Sequence, residues 1–184
     1  MPKKKTSAIY QLKITLQSSK PPIWRRVLVP SDMKLSTLHD VIQIAMGWED
    51  AHLHQFDDGQ NFYGLPEMSL DDALDSSKTK LEKVLPAEKA KILYEYDFGD
   101  SWEHVVLLEK ILEPDPAQTY PVCIKGSRAC PPEDCGGIWG YEDLLAKLAD
   151  PKNPEREDLL DWLGVEDFDP DDFDLESINE ELRA

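Results

Sequence analysis

The sequence predicts an α+β domain with a mostly antiparallel sheet of about five to seven strands, one early helix, and C-terminal helices packed on the sheet. Three observations lead there. Strand-type alternation recurs over residues 8–112, a single helical stripe interrupts it, and helical spacing takes over from residue 141. Strands first and helices last favour antiparallel pairing over a doubly wound parallel sheet. At 184 residues and 41% hydrophobic, the chain fits one domain with one core.

Residues 8–16 alternate, placing Tyr10, Leu12, Ile14 and Leu16 on one face of a half-buried strand. Pro21-Pro22 breaks it, and 23–29 forms a second strand closed by Pro30. From Leu35 the period changes: Leu35, Leu38, Val41, Ile42 and Ala45 make a helical stripe, with Ser36 or Thr37 as N-cap and Gly47 at C′. Short strands over 52–56 and 61–63 flank the turn Asp57-Asp58-Gly59. Residues 64–90 mix acids, Ser and Lys with two prolines and read as a long irregular excursion holding a turn or two of helix. Strands at 91–97 and 102–112 are joined through Phe98-Gly99-Asp100-Ser101, and Pro114 and Pro116 stop the second. A Pro/Gly-rich segment with cysteines spans 120–140. The part from 141 to 184 is acidic and helical. Leu144, Leu145 and Leu148 form its first stripe. Asn153-Pro154 starts a second helix carrying Leu159, Leu160 and Leu163 up to Gly164. A third carries Leu175, Ile178 and Leu182.

Charge narrows the function classes. The net charge is −17, with +7 from residues 1–30, −14 from 31–150 and −10 from 151–184. An acidic chain repels phosphate backbones and anionic lipid, so sequence-independent nucleic-acid binding and membrane docking are disfavoured. Residues 1–7 read as a basic disordered tail around Lys3, Lys4 and Lys5. No apolar run approaches the roughly 20 residues of a membrane span, and no apolar segment follows the basic start, so a cytoplasmic location is expected. The phosphate-loop, dinucleotide, nucleophile-elbow and H-E-x-x-H patterns are all missing from the sequence. The acids of 169–180 resemble a calcium loop, but Asp174 stands where glycine is required and Phe173 where a ligand is required.

Two constellations carry chemistry. Cys123, Cys130 and Cys135 fall in a C-x6-C-x4-C spacing among prolines and glycines. Thiolates suit zinc in a tetrahedral cage, the fourth ligand then coming from His104, His52, His54 or Asp134. The alternatives are a loop of buried or idle thiols and a Cys130–Cys135 disulfide. The second constellation is His52-Leu53-His54 with Asp97, Asp100 and His104. On a strand His52 and His54 share a face, and so do Trp102, His104, Val106 and Leu108. If those strands are neighbours, imidazoles and carboxylates converge in a set suited to metal-assisted hydrolysis. The bland alternative makes His104 a hydrogen-bonded core histidine and the two aspartates turn-formers beside Gly99.

Several runs together resemble the plasmid pRiA4b ORF-3-like family. They are Pro21-Pro22-Ile23-Trp24-Arg25-Arg26, Leu38-His39, Ala45-Met46-Gly47-Trp48, His52-Leu53-His54, 96–104 (YDFGDSWEH), 129–137 (ACPPEDCGG) and the tail from Trp162 to Asp174. The resemblance spans nearly the whole chain. It implies a compact α+β domain and kinship with proteins carried on plasmids and insertion elements, some labelled as resolvase-like passengers. The leading reading is a non-catalytic binding or accessory domain with a structural zinc on the cysteines. It recognises a protein or small polar ligand, with Trp24, Arg25, Arg26 and Trp102 as contact residues. The second is a metal-dependent hydrolase or nuclease using His52, His54, Asp97, Asp100 and His104. The third is a mobile-element DNA-binding protein working through Lys3, Lys4, Lys5, Arg25 and Arg26.

Overall fold

In the computed structural model, which describes residues 7–65 and 73–184, the alternating segment 8–16 becomes β1 (Ile9–Leu16). It pairs antiparallel with β2 (Trp24–Pro30) on one side and β7 (Trp102–Leu112) on the other. Outward from β7 come β6 (Lys91–Tyr96), β3 (His54–Asp57), β4 (Phe62–Gly64) and β5 (Leu74–Asp75). β8 (Val122–Ser127) closes the opposite edge, giving the order β5-β4-β3-β6-β7-β1-β2-β8. Among the described residues, only the β4–β5 pairing is parallel. The fold is therefore α+β as expected, with eight strands among the described residues in place of five to seven.

The two strands beyond the six segments read from the sequence, β5 and β8, arise where it is least periodic. β5 belongs to the excursion expected over 64–90. There α2 (Leu81–Val84) also forms, and Leu81 and Leu85 are fully buried, so much of the excursion is core; residues 66–72 lie outside the described residues. β8 was expected as a loop. It presents only one buried side chain, Cys123, so its edge pairing with β2 leaves little hydrophobic pattern. The basic tail falls largely on residues 1–6, also outside the described residues.

One face of the sheet is the core. Leu12 and Ile14 of β1, Ile92 and Tyr94 of β6, and Val106 and Leu108 of β7 are at most 1% exposed. Helix α1 (Leu35–Met46) lays Leu35, Leu38, Ile42 and Ala45 into this core, and its C-terminus is closed by left-handed Gly47 as predicted. Its N-terminus differs from expectation: the helix starts at Leu35 without a side-chain cap, because the Leu35 and Ser36 N–H groups donate to the carbonyls of Thr79 and Ser76. Tertiary carbonyls satisfy the orphan donors that Ser36 or Thr37 would otherwise have capped.

The C-terminal helices are α3 (Gly137–Ala149), α4 (Arg156–Leu163) and α5 (Leu175–Glu181). α4 begins two residues beyond Pro154, because Asn153 Oδ1 accepts from Glu155 N and holds a turn there. Asp174 caps α5 by accepting from the N–H groups of Glu176 and Ser177. α5 is fastened to β8 by Asn179, which exchanges two 2.8 Å hydrogen bonds with the Cys123 backbone.

A candidate site between the β6–β7 turn and the 128–137 loop

The β6–β7 turn and the loop before α3 are locked together. Asp100 Oδ2 accepts from Gly136 N at 3.0 Å, and a Cβ on Gly137 (φ +68) would collide with the Asp100 carbonyl. Trp48 Nε1 donates to Pro131 O at 3.1 Å, and Glu133 Oε1 accepts from Glu49 N and Tyr96 OH, both at 3.0 Å. These bonds carry Glu133 and Asp134 over the segment preceding β3, where His52 lies. His52 is outside the strand, so it does not share a strand face with His54.

As a result the predicted histidines and carboxylates separate into different surroundings. His52 Nε2 faces Asp134 Oδ1 at 3.0 Å, Asp97 Oδ2 at 3.6 Å and Glu133 Oε2 at 3.8 Å. His52 Nε2 and Glu133 Oε2 are both buried atoms without a hydrogen-bond partner. Asp97 spends its other oxygen, Oδ1, on the N–H groups of Gly99 and Asp100. Asp97 and Asp134 hold φ values of 57° and 54°, a left-handed conformation that aspartate tolerates better than most residues.

His54 turns instead toward α1. Its ring stacks on His39 with centroids 3.4 Å apart and planes 7° from parallel. Gln43 Nε2 donates to Tyr94 OH (3.0 Å), so the hydroxyl proton is free for His39 Nδ1 (2.8 Å), and His39 carries its own proton on Nε2 toward Asp50 Oδ1 (2.8 Å). His54 Nε2 is buried without a hydrogen-bond partner, and burial, reinforced by His39, lowers the His54 pKa to about 4. A cleft of about 440 Å³ opens beside this pair, lined by His39, Asp40, Asp50, His52, Leu53 and His54 among others. Burial raises the Asp40 carboxyl pKa.

The remaining expected site residues lie elsewhere. His104 is fully buried beside Trp48 and Tyr94, the core position of the bland alternative. The Asp100 carboxylate serves the Gly136 N–H, so the expected group of five does not converge: of those side chains, only His52 and Asp97 face each other. Nor do the three cysteines converge. Among the described residues, neither group of ligand atoms lying within 4.8 Å of one another contains a cysteine. Cys123 faces inward from β8, Cys130 packs toward Gly47, and the Cys135 thiol points to Gly137 O at 4.0 Å. Burial raises all three thiols, Cys135 to about 12. All three cysteines are free, so the Cys130–Cys135 disulfide does not form.

Trp24, Arg25, Arg26 and Trp102 form no common contact surface either. Arg25 is 2% exposed and bonded to the Ala45, Trp24 and Ser127 carbonyls, and Trp102 is 1% exposed in the core. Arg26 grips Glu109 through two hydrogen bonds of 2.6 and 2.8 Å, which holds Glu109 down at about 2. The cations of Lys13 and Arg26, cross-strand partners, each lie 5.0 Å from the Trp24 ring. Lys3, Lys4 and Lys5 lie outside the described residues.

Residues 8–177 match the family described as plasmid pRiA4b ORF-3-like protein. The chain belongs to the plasmid pRiA4b ORF-3-like family. It is similar to the uncharacterized protein y4hQ of Sinorhizobium fredii (strain NBRC 101917 / NGR234), 38% identical over 165 residues, or 89% of this chain and 84% of that one. It is also similar to the crystal structure of MM3350, a protein of unknown function from Methanosarcina mazei Go1. There the identity is 40% and the TM-score 0.83, covering 93% of this chain and 97% of that chain. The pRiA4b ORF-3-like assignment accounts for the motif runs as parts of one fold: YDFGDSWEH supplies the β6–β7 turn, and ACPPEDCGG the loop docked on it. Among the described residues of this family member, no helix is long and apolar enough to cross a membrane.

Sequence reasoning overlooked His39, Asp50 and Glu133 as site residues. His39 did carry a signal: it stands four residues after Leu35 and one after Leu38, on the buried stripe of the helix. Asp50 and Glu133 reach the site through turns and loops, which leave no periodic trace.

Proposed function

We propose that this family member is a ligand-binding domain whose cleft receives a small polar molecule through a cationic, hydrogen-donating group such as a primary ammonium. The observation that carries this reading is the lining of the cleft. Asp40, Asp50 and three histidines face it, and among the described residues no Lys or Arg lines it. A cleft walled by one sign of charge concentrates the opposite sign, so phosphates and carboxylates are disfavoured there. Asp50 is half-exposed while its orientation is fixed by Gln43 and His39, an arrangement that leaves one carboxylate oxygen for a ligand.

The test is a pair of NMR titrations on chelator-treated full-length protein, one with n-butylammonium and one with inorganic phosphate. The ammonium is expected to shift resonances of residues around His39, Asp50 and His54. Asp50→Asn should weaken it about tenfold, equivalent to about 1.4 kcal/mol. Phosphate shifting those residues while the ammonium does not would overturn the reading, as would an ammonium response indifferent to Asp50→Asn.

A further inference from the structure

We propose a divalent-cation site formed by His52, Asp97 and Asp134, with the Glu133 carboxylate beside it and separate from the cysteines. Three carboxylates lie within 3.8 Å of one imidazole nitrogen, and among the described residues no Lys or Arg side chain pairs with any of the four. Such a concentration of negative charge around a partly buried group is costly unless a cation compensates it. The free valences all point the same way. His52 Nε2 and Glu133 Oε2 are buried and lack hydrogen-bond partners, and Asp97, whose side chain is only 9% exposed, holds Oδ2 3.6 Å from His52 Nε2. The two less exposed carboxylates have their other oxygens secured: Asp97 Oδ1 by backbone N–H groups, Glu133 Oε1 by Tyr96 OH and Glu49 N. The outer shell that orients metal-binding carboxylates is therefore in place.

The spacing fits an ion. Bonds of about 2.0–2.2 Å in tetrahedral geometry put ligand atoms about 3.3–3.6 Å apart. The three carboxylate oxygens stand 3.0, 3.6 and 3.8 Å from His52 Nε2, and the ligand atoms of His52, Asp97 and Asp134 all lie within 4.8 Å of one another. One imidazole with oxygen donors suits zinc or manganese and gives no preference to soft, thiolate-seeking ions.

The other close-set group, His39, Asp50 and His54, is a poorer ligand set on hydrogen-bond grounds. His39 has its proton on Nε2, the nitrogen that would have to ligate. Moving that proton to Nδ1 would make Tyr94 OH accept twice and strand its own proton. His52 Nε2 faces only carboxylate oxygens, acceptors that leave its lone pair uncommitted once an ion is present.

The test is metal content by elemental mass spectrometry on untagged full-length protein, followed by calorimetric titration of Zn²⁺ and Mn²⁺ into chelated, reduced protein. One equivalent is expected. It should weaken at least about tenfold in Asp97→Asn, His52→Ala and Asp134→Asn, since even outer-shell changes cost that much. Cys130→Ser with Cys135→Ser should retain it. Asp134 is exposed, so its variant folds and decides the matter even if His52→Ala does not. Binding that survives Asp134→Asn and Asp97→Asn, binding lost with the cysteine pair alone, or no binding of either ion would overturn the site. Because the ammonium titration uses chelated protein, its outcome is independent of this one.

Discussion

Tyr94 shows how a single hydroxyl organises the cleft. It accepts from Gln43 and donates to His39, so it sets which His39 nitrogen faces Asp50. Removing it leaves the Gln43 amide and His39 Nδ1, both on buried side chains, without this partner, and each buried unpaired group costs about 1–3 kcal/mol. Tyr94→Phe is therefore expected to lower unfolding free energy by about 2 kcal/mol in urea titrations. It should also free His39 to populate the other tautomer, visible in its ¹⁵N ring shifts. A Tyr94→Phe protein with unchanged stability and an unchanged Nε2–H signal would show that the hydroxyl does not govern His39. Aromatic placement follows the same residue-level logic. Trp48 and Trp102 are buried in the core, whereas Trp139 and Trp162 are 78% and 53% exposed. Alternation places Trp102 on one face with Val106 and Leu108, whereas no such pattern in the sequence marks Trp48.

At the level of elements, the decisive contact is between the β6–β7 turn and the loop ahead of α3. Gly137 makes it: the backbone is left-handed there, and only a hydrogen fits against the Asp100 carbonyl. Gly137→Ala should push the loop off the turn, cost about 1–3 kcal/mol, and weaken metal binding by drawing Glu133 and Asp134 away from His52. Thermal melting combined with the Zn²⁺ titration checks this; a variant with lower stability and undiminished zinc affinity would uncouple the glycine from the site. The same elements explain what was legible in the sequence. β1, β2, β6 and β7 follow from alternation because one face is core and the other is not. β5 and β8 pair at the sheet edges with almost no apolar face, so period carries no signal. Cap placement failed at α1 because Thr79 and Ser76, remote in sequence, supply the acceptors. His52 and Asp97 were readable from their motifs. Their partners were not, since positive-φ turns and loop docking bring Asp50 to His39 and Asp134 to His52.

Across the whole molecule, two opposing effects shape the response to acid. The net charge of −17 repels itself at neutral pH, and protonating carboxylates relieves that repulsion. His104 acts in the other direction. Its Nδ1 donates to Tyr94 O, while Nε2 is buried near Trp48 with no partner, so a second proton would be an unpaired cation in the core. Burial accordingly lowers its pKa from 6.5 to about 4. Between those values the unfolded chain takes up a proton that the folded chain refuses, so stability falls as pH drops from 6.5 toward 4 and this contribution is flat outside that window. The size is up to about 3 kcal/mol. His104→Phe, which fills the core site without titrating, isolates the effect, because the general charge term is common to both proteins and cancels in the difference. Urea unfolding at pH 7 and pH 4.5 is expected to show the wild type losing stability relative to His104→Phe on acidification. Parallel pH dependence in the two proteins would mean that His104 is protonated in the folded core and that a hydrogen-bond acceptor for Nε2 forms on acidification.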